Sequence, residues 1–150
     1  MNLILWRHAE AEEIAPDHTD AGRRLTAHGL KQARQMARWL SPRLSKDTRI
    51  LVSPAVRTRQ TAEALERDFS IESRLFTTAD TGDHLQAIHE QNAGTLLLVG
   101  HQPTLGQLAA LLMCGQQLSW SVKKGAIWWL TDINPPHAAR LVCMLDTKHL

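Results

Sequence analysis

The stretch Thr95-Leu-Leu-Leu-Val-Gly100, followed at once by His101-Gln102-Pro103, is the clearest structural element of the sequence. A short run that is almost entirely apolar and ends in Gly predicts a strand buried on both faces. A polar residue directly after such a strand lies at its carboxyl end, where open α/β sheets bind their ligands. His101 is therefore the first candidate functional residue.

Two more stretches of the same kind lie earlier in the chain. Asn2–Trp6 and Arg49–Val52 predict buried strands, and further strands are expected over 71–75, 125–131 and 139–145. Apolar residues at helical spacing predict helices over 26–44, 55–67, 83–91 and 103–114. Strands that alternate with helices are typical of βαβ units. We therefore expect one α/β domain over residues 1–150, a three-layer sandwich with a mainly parallel central sheet and helices on both faces.

Length and composition fit a soluble globular protein. The 150 residues are 43% hydrophobic and 21% charged, which supports a core and argues against disorder. The net charge of +2 does not point to nucleic acid, and no apolar run reaches the roughly 20 residues of a membrane helix. Cys114 and Cys143 lack a metal-type spacing and are expected to be buried free thiols. No signal peptide is recognised, so we expect a cytoplasmic monomer with neither nucleic-acid nor membrane partners.

Polar side chains suited to catalysis follow each of the three buried strands. Arg7 and His8 come after the first, Ser53-Pro54 after the second with Arg57 one turn into the next helix, and His101 after the third. Carboxyl ends of parallel strands meet at one sheet edge, so these side chains are expected to lie together. Arginine presents a fork of donors that suits phosphate, and neutral imidazole is a competent nucleophile near pH 7. The combination predicts phosphoryl transfer, with one imidazole neutral and the other protonated as a donor.

Each of these residues has an ordinary structural explanation when it is taken alone. A strand-end arginine is usually a surface cation, and a single histidine is usually structural; only their joint placement makes a candidate site. A metal hydrolase is an alternative, because His8, Glu10 and Glu12 alternate along the chain. No matching cluster stands out elsewhere, so no metal or other cofactor is expected. The remaining histidines, His84 among them, are expected at the surface or in loops.

Four motifs, in matching order and spacing, resemble those of the histidine phosphatase (phosphoglycerate mutase-like) superfamily. They are Arg7-His8, Leu25-Thr26-x-x-Gly29-x-x-Gln32-Ala33, Ser53-Pro54-x-x-Arg57-x-x-Gln60-Thr61-Ala62 and Gly100-His101-Gln102-Pro103. The short chain and the runs 7–12 and 123–129 are most similar to the SixA-type phosphohistidine phosphatases. The resemblance implies the phosphoglycerate mutase-like fold and a phosphatase activity without a cofactor.

The resemblance also implies roles for the matching residues. His8 is the nucleophile that takes up the phosphoryl group during turnover. Arg7, Arg57 and His101 complete the phosphate pocket around it.

Further donors and one departure concern the loops beside these motifs. In SixA-type enzymes an arginine before the Leu-Thr motif also reaches the phosphate, and this position falls on Arg23 or Arg24, with Arg23 favoured. The backbone N–H of Gln102, at a helix start, adds a donor. The glycine that usually follows Arg-His is Ala9 here, which is tolerated if its φ is negative.

Larger relatives carry an acidic proton donor, which has no clear equivalent in this chain. Asp80 and Asp83 are the only aspartates in the segment 76–94 where it would lie. An alkoxide leaving group needs a proton, whereas the imidazole of phosphohistidine leaves more easily. The sequence therefore favours phosphohistidine on a protein domain of the histidine phosphotransfer or phosphocarrier type. Two alternatives remain: a small-molecule phosphomonoesterase of the sugar phosphate type with Asp80 as acid, and a phosphate-binding signalling module without catalysis.

Overall fold

The structure, a computed structural model, describes residues 1–134 and 136–150. In this part of the chain six strands form one sheet: β1 (Asn2–Arg7), β2 (Arg49–Val52), β3 (Ser70–Ile71), β4 (Thr95–Gly100), β5 (Ile127–Thr131) and β6 (Arg140–Leu145). Four helices accompany them: α1 (Ala27–Leu40), α2 (Val56–Glu63), α3 (Thr81–His89) and α4 (Thr104–Cys114). The strands expected over 125–131 and 139–145 are both present, each slightly shorter than expected.

The sheet has the strand order β3-β2-β4-β1-β5-β6. Strands β3, β2, β4 and β1 run parallel, whereas β5 pairs antiparallel with β1, and β6 antiparallel with β5. The three strands that the sequence predicted to be buried, β2, β4 and β1, are neighbours in the sheet. The mainly parallel α/β sheet expected from the sequence is confirmed.

The central strand β1 shows how both faces of the sheet are covered. Leu3 and Leu5 point to one face and pack with α3 and α4. Ile4 and Trp6 point to the other face, against α1 and α2. All four side chains are fully buried, so an unbroken apolar run is what this strand requires. The three-layer arrangement with helices on both faces is confirmed.

Several helix and strand boundaries differ from the expectation. Helix α1 ends at Leu40 rather than at 44, because Pro42 lacks an N–H, and Ser41–Arg43 form a 3₁₀ turn. Helix α2 ends at Glu63, four residues before the expected end. The strand expected over 71–75 is only Ser70–Ile71, and Ser73–Leu75 form a second 3₁₀ turn.

The expectation that both cysteines are buried is wrong. Cys114 is exposed in the last turn of α4, and Cys143 is half-buried in the edge strand β6. Both are free thiols, as expected.

The motif Leu25-Thr26-x-x-Gly29 ties the loop after β1 to helix α1. Thr26 is the N-cap of α1, and its hydroxyl accepts a hydrogen bond from the Gly29 N–H at 2.9 Å. A Cβ at Gly29 would lie 1.9 Å from the carbonyl oxygen of Glu10, so only glycine allows this close approach. The hydroxyl of Thr26 also donates to the Glu10 carboxylate at 2.6 Å. These contacts hold the start of the loop that carries the predicted nucleophile.

Candidate active site

The carboxyl ends of β1, β2 and β4 bring the predicted residues to one edge of the sheet. Arg7 is in register with Gly100, and the His8 N–H donates to the Gly100 carbonyl at 3.2 Å. Arg57 lies in the first turn of α2, which begins just after β2. The rings of His8 and His101 are 5.5 Å apart between centroids. The joint placement expected for the four side chains is therefore present.

The hydrogen bonding of His8 fixes which ring nitrogen is free. Nδ1 lies 2.7 Å from the carbonyl oxygen of Ala9, and a carbonyl only accepts, so Nδ1 carries the hydrogen. The neutral ring then has its lone pair on Nε2. Burial lowers the pKa of His8 to about 4, and the charges of Arg57, Arg7 and Arg23 act in the same direction. His8 is therefore neutral near pH 7, as a nucleophile must be.

Ala9 occupies the position of the usual glycine without backbone strain. It is absent from the residues with positive φ in the described chain. Its N–H donates to the Thr61 hydroxyl at 3.1 Å, and that hydroxyl donates to the Arg57 carbonyl at 2.8 Å. Thr61, which sequence reasoning quoted in a motif but gave no role, thus joins the loop after His8 to helix α2.

His101 is held by a serine to which sequence reasoning assigned no function. The Ser53 hydroxyl and His101 Nε2 share a hydrogen bond of 2.7 Å, and both residues are buried. Burial lowers the pKa of His101 to about 3, helped by the charge of Arg57. The expectation of one neutral and one protonated imidazole is therefore wrong for the pocket as it stands, because both rings are neutral near pH 7.

The three arginines nearest the pocket are held by different partners. Arg7 donates from Nη1 to the Val122 carbonyl at 3.0 Å. Arg57, almost fully buried, donates from Nη1 to the Asp20 carbonyl at 2.7 Å and from Nη2 to the Asp20 carboxylate at 3.0 Å. Arg23 donates from Nε to the Glu12 carbonyl at 2.8 Å and from Nη1 to the same Asp20 carboxylate at 3.0 Å.

The neighbouring Arg24 faces away from this cluster. Its side chain is exposed and pairs with the Glu12 carboxylate at 3.0 Å. Arg23, in contrast, is close enough to lower the pKa of His8. The geometry favours Arg23 over Arg24 as a pocket residue, although a role in phosphate binding stays a prediction for both.

Gln102 uses its side chain to shape the entry to α4. Nε2 donates to the Trp120 carbonyl at 2.9 Å, and Oε1 accepts from the Gly106 N–H at 2.8 Å. The backbone N–H of Gln102 therefore remains the group for the predicted hydrogen bond to phosphate.

Asp80 and Asp83 are occupied with starting helix α3. The Asp80 carboxylate accepts from the Asp83 N–H at 2.9 Å, and the Asp83 carboxylate accepts from the Asp80 N–H at 3.0 Å. This capping box also explains why α3 begins at Thr81 rather than at 83. These hydrogen bonds lower the pKa of Asp80, so it is ionised and poorly suited to donate a proton.

His84 is buried, so the expectation that it lies at the surface is wrong. Its Nδ1 lies 2.8 Å from the Asp80 carbonyl oxygen and therefore carries the hydrogen. Burial lowers the pKa of His84. Its position on the buried face of α3 was hidden by the polar residues around it in the sequence.

Four buried side-chain polar atoms in the described part of the chain lack a protein partner. They are Arg7 Nε, Arg57 Nε, His101 Nδ1 and His84 Nε2. Buried polar atoms without partners are unusual, and three of these four belong to the predicted phosphate pocket. They are suited to an anion bound between β1, β2 and β4.

The metal-site alternative finds no support among the described residues. No group of three or more His, Cys, Asp or Glu side chains is placed to hold a metal ion there. His8, Glu10 and Glu12 instead hydrogen-bond to Ala9, Thr26 and Arg24 respectively. Across residues 1–134 and 136–150, no helix is long and apolar enough to cross a membrane.

The chain is similar in sequence and fold to known proteins. A sequence model of the histidine phosphatase superfamily (branch 1) matches residues 3–81. The phosphohistidine phosphatase SixA homolog of Haemophilus influenzae is 32% identical over 128 residues, which cover 75% of this chain and 77% of that protein. Phosphohistidine phosphatase SixA of Escherichia coli is 31% identical over 125 residues, covering 77% and 76%. The solved structure of protein histidine phosphatase SixA complexed with tungstate superposes with a TM-score of 0.81 at 26% identity, covering 99% of this chain and 98% of that one.

Proposed function

Because the chain belongs to the histidine phosphatase superfamily (branch 1) and is thus a phosphatase, we propose that it hydrolyses phosphohistidine on a protein through a phosphorylated His8. The observation that carries the proposal is the pairing of a neutral, buried His8 with buried, unpartnered donors on Arg7, Arg57 and His101. The similarity to proteins named phosphohistidine phosphatases supports the choice of substrate.

In the first step, Nε2 of His8 attacks the substrate phosphorus in line with the bond to the leaving imidazole. The N–P bond of the substrate breaks as the bond to His8 forms, and the leaving ring takes a proton from solvent. Arg7 and Arg57 hold the equatorial oxygens, whose charge increases in the transition state. The hydrogen bond from His8 Nδ1 to Ala9 keeps the ring aligned throughout.

The second imidazole changes its role when the phosphoryl group arrives. The negative charge of that group raises the pKa of His101 and opposes the effect of burial. Nε2 of His101 shares its hydrogen bond with the Ser53 hydroxyl, and Nδ1 is the nitrogen without a protein partner. Nδ1 then donates to a phosphoryl oxygen.

In the second step, water attacks the phosphorus of phospho-His8. The bond between phosphorus and Nε2 breaks, inorganic phosphate leaves with the oxygen and both hydrogens of the water, and neutral His8 returns with its hydrogen on Nδ1. The arginines again stabilise the transferring group, so the chain itself supplies the positive charge that this chemistry needs.

The state of Asp80 supports phosphohistidine over phosphate esters. A carboxylate held ionised in a capping box is a poor proton donor, and an ester leaving group would need one. We further propose that the partner is a phosphohistidine-bearing domain of the histidine phosphotransfer or phosphocarrier type. The ionised state of Asp80 argues against the alternative of a small-molecule phosphomonoesterase with Asp80 as acid.

Phosphate release from a histidine-phosphorylated carrier protein tests the proposal directly. We expect His8→Ala to lose more than the roughly 10²–10³-fold that one oxyanion donor contributes. His89→Ala, an exposed histidine in α3, is the matched control and keeps full activity. Mass spectrometry of acid-labile phosphate on rapidly quenched enzyme should find it on His8. Retained activity in His8→Ala contradicts the nucleophile, and faster turnover of sugar phosphates, lost in Asp80→Asn, contradicts the substrate.

A further inference from the structure

One carboxylate, that of Asp20, lies among the arginines of the pocket and has no role in the chemistry described so far. Its Oδ2 accepts from Arg57 Nη2 at 3.0 Å, and its Oδ1 accepts from Arg23 Nη1 at 3.0 Å. The Arg57 side chain is 4% exposed and that of Asp20 is 54% exposed, so the carboxylate covers the buried guanidinium on its solvent side. Each oxygen of Asp20 thus holds a different arginine.

We propose that Asp20 is a positioning residue of the phosphate pocket, whose carboxylate bridges Arg57 and Arg23 and fixes both guanidinium groups for the phosphoryl oxygens. The proposal rests on the phosphatase function proposed above. It concerns a loop residue that no part of the sequence pattern singled out.

The contacts of Arg57 show why Asp20 orients this side chain rather than blocking it. A guanidinium has five N–H donors, and Asp20 takes one from each Nη through its carbonyl and its carboxylate. Two contacts from one residue fix the plane of the group. Nε, which has no protein partner, and the remaining Nη hydrogens stay available for an anion.

Charge balance gives a second reason for a carboxylate at this position. Arg57 is close enough to Arg7 to lower its pKa, and Arg7, Arg57 and Arg23 all act on His8. Three guanidinium groups around one buried pocket repel one another. A bridging carboxylate offsets this repulsion and keeps the guanidinium groups of Arg57 and Arg23 together before the phosphoryl group binds.

The backbone of the loop has its own anchors, so the carboxylate can be removed without releasing the loop. The Val56 N–H donates to the Ala21 carbonyl at 2.9 Å, and the Arg57 contact to the Asp20 carbonyl does not need the side chain. Asp17 on the same loop is the matched control. Its carboxylate accepts from Thr19, and none of its hydrogen bonds involves an arginine.

The test compares Asp20→Ala, Asp20→Asn and Asp17→Asn with the unaltered protein on the phosphorylated carrier. We expect kcat/KM to fall by about 10–100-fold in Asp20→Ala, since misplacing a binding group by about 1 Å can cost 10²-fold. In Asp20→Asn kcat/KM also falls, because the NH2 group that replaces one carboxylate oxygen cannot accept from the arginine on that side. Asp17→Asn, with the same change of charge, stays unchanged. The inhibition constant of inorganic phosphate should rise about tenfold in Asp20→Ala.

A double-mutant cycle separates positioning from a general effect on folding. In an Arg23→Ala background, Asp20→Ala should lower kcat/KM by a clearly smaller factor than in the unaltered protein, because one of the two arginines that Asp20 holds is already absent. Equal costs in both backgrounds, an unchanged kcat/KM, or tighter phosphate inhibition in Asp20→Ala would each overturn the proposal. If Asp20→Ala does not fold, kcat/KM and the inhibition constant of inorganic phosphate in Asp20→Asn test the proposal in its place. An unaltered protein that is inactive on phosphohistidine refutes the proposed function instead, and direct titration with inorganic phosphate then still tests Asp20.

Discussion

Replacing His8 with asparagine should make the stability of this protein less sensitive to acid. In the folded protein, burial lowers the pKa of His8 to about 4, whereas in the unfolded chain the ring titrates near its ordinary value of 6.5. Between these values the unfolded state binds more protons than the folded state. The stability that His8 gives by remaining neutral is therefore complete above pH 6.5 and is lost as the pH falls from 6.5 towards 4.

The size of the effect follows from the same two values. Proton linkage to His8 alone lowers the free energy of unfolding by about 2 kcal/mol between pH 8 and pH 5, and most of this loss occurs below pH 6.5. His101, whose pKa is lowered to about 3, and His84 add to the acid sensitivity of both proteins and cancel in the comparison. Asparagine removes the titrating group while its amide can still donate to the Ala9 carbonyl in place of Nδ1.

Urea unfolding followed by tryptophan fluorescence, at pH 8, 6.5 and 5, measures the difference. We expect the free energy of unfolding of the unaltered protein to fall by about 2 kcal/mol more than that of His8→Asn between pH 8 and pH 5. His89→Asn, which removes an exposed histidine, should follow the unaltered protein. If His8→Asn and the unaltered protein lose stability in parallel, His8 titrates normally in the folded state. The argument for a neutral nucleophile would then be wrong.

Two further predictions concern the loop before α1 and the start of that helix. Arg23→Ala should lower kcat/KM on a phosphohistidine protein by about 10²-fold. Arg24→Ala breaks only an exposed ion pair with Glu12 and should change kcat/KM little. Steady-state kinetics of both variants checks this, and equal effects would contradict the choice of Arg23 as the pocket residue. Thr26→Ala removes the hydroxyl that caps α1 and should lower the free energy of unfolding by about 1 kcal/mol. Urea unfolding measures this difference, and an unchanged free energy would mean that the cap is not formed in solution.

Much of this architecture could be predicted from the sequence, because its signals are local. The run Thr95–Gly100 contains the unbroken apolar stretch Leu96–Val99, so both faces of the strand are apolar there. This is typical of a central strand in a sheet that has helices on both faces. Parallel strands align their carboxyl ends, so Arg7, His8 and His101 were predictable neighbours once the strands were recognised. Boundaries were harder to predict, since the end of α1 depends on how Pro42 and its neighbours form a 3₁₀ turn.

The protonation states in the site required the tertiary structure. The sequence correctly predicted a neutral His8, but it also predicted a protonated His101, which is wrong for this structure. Burial is the largest cause for both rings, and burial depends on everything packed around a residue. His84 shows the same limit, because a polar stretch of sequence gave no sign that one face of α3 is covered.

By itself, the sequence determined the order of strands and helices, and with it the sheet edge at which Arg7, His8, Arg57 and His101 meet, since hydrophobic period and chain direction fix both. Only the tertiary structure decided which residues complete that edge. Asp20 meets Arg57 across 37 residues of sequence, and Ser53 meets His101 across 48, so no local pattern could reveal either pair. Hydrogen bonds between distant segments exist only when packing brings those segments within about 3 Å, and packing is a property of the whole fold.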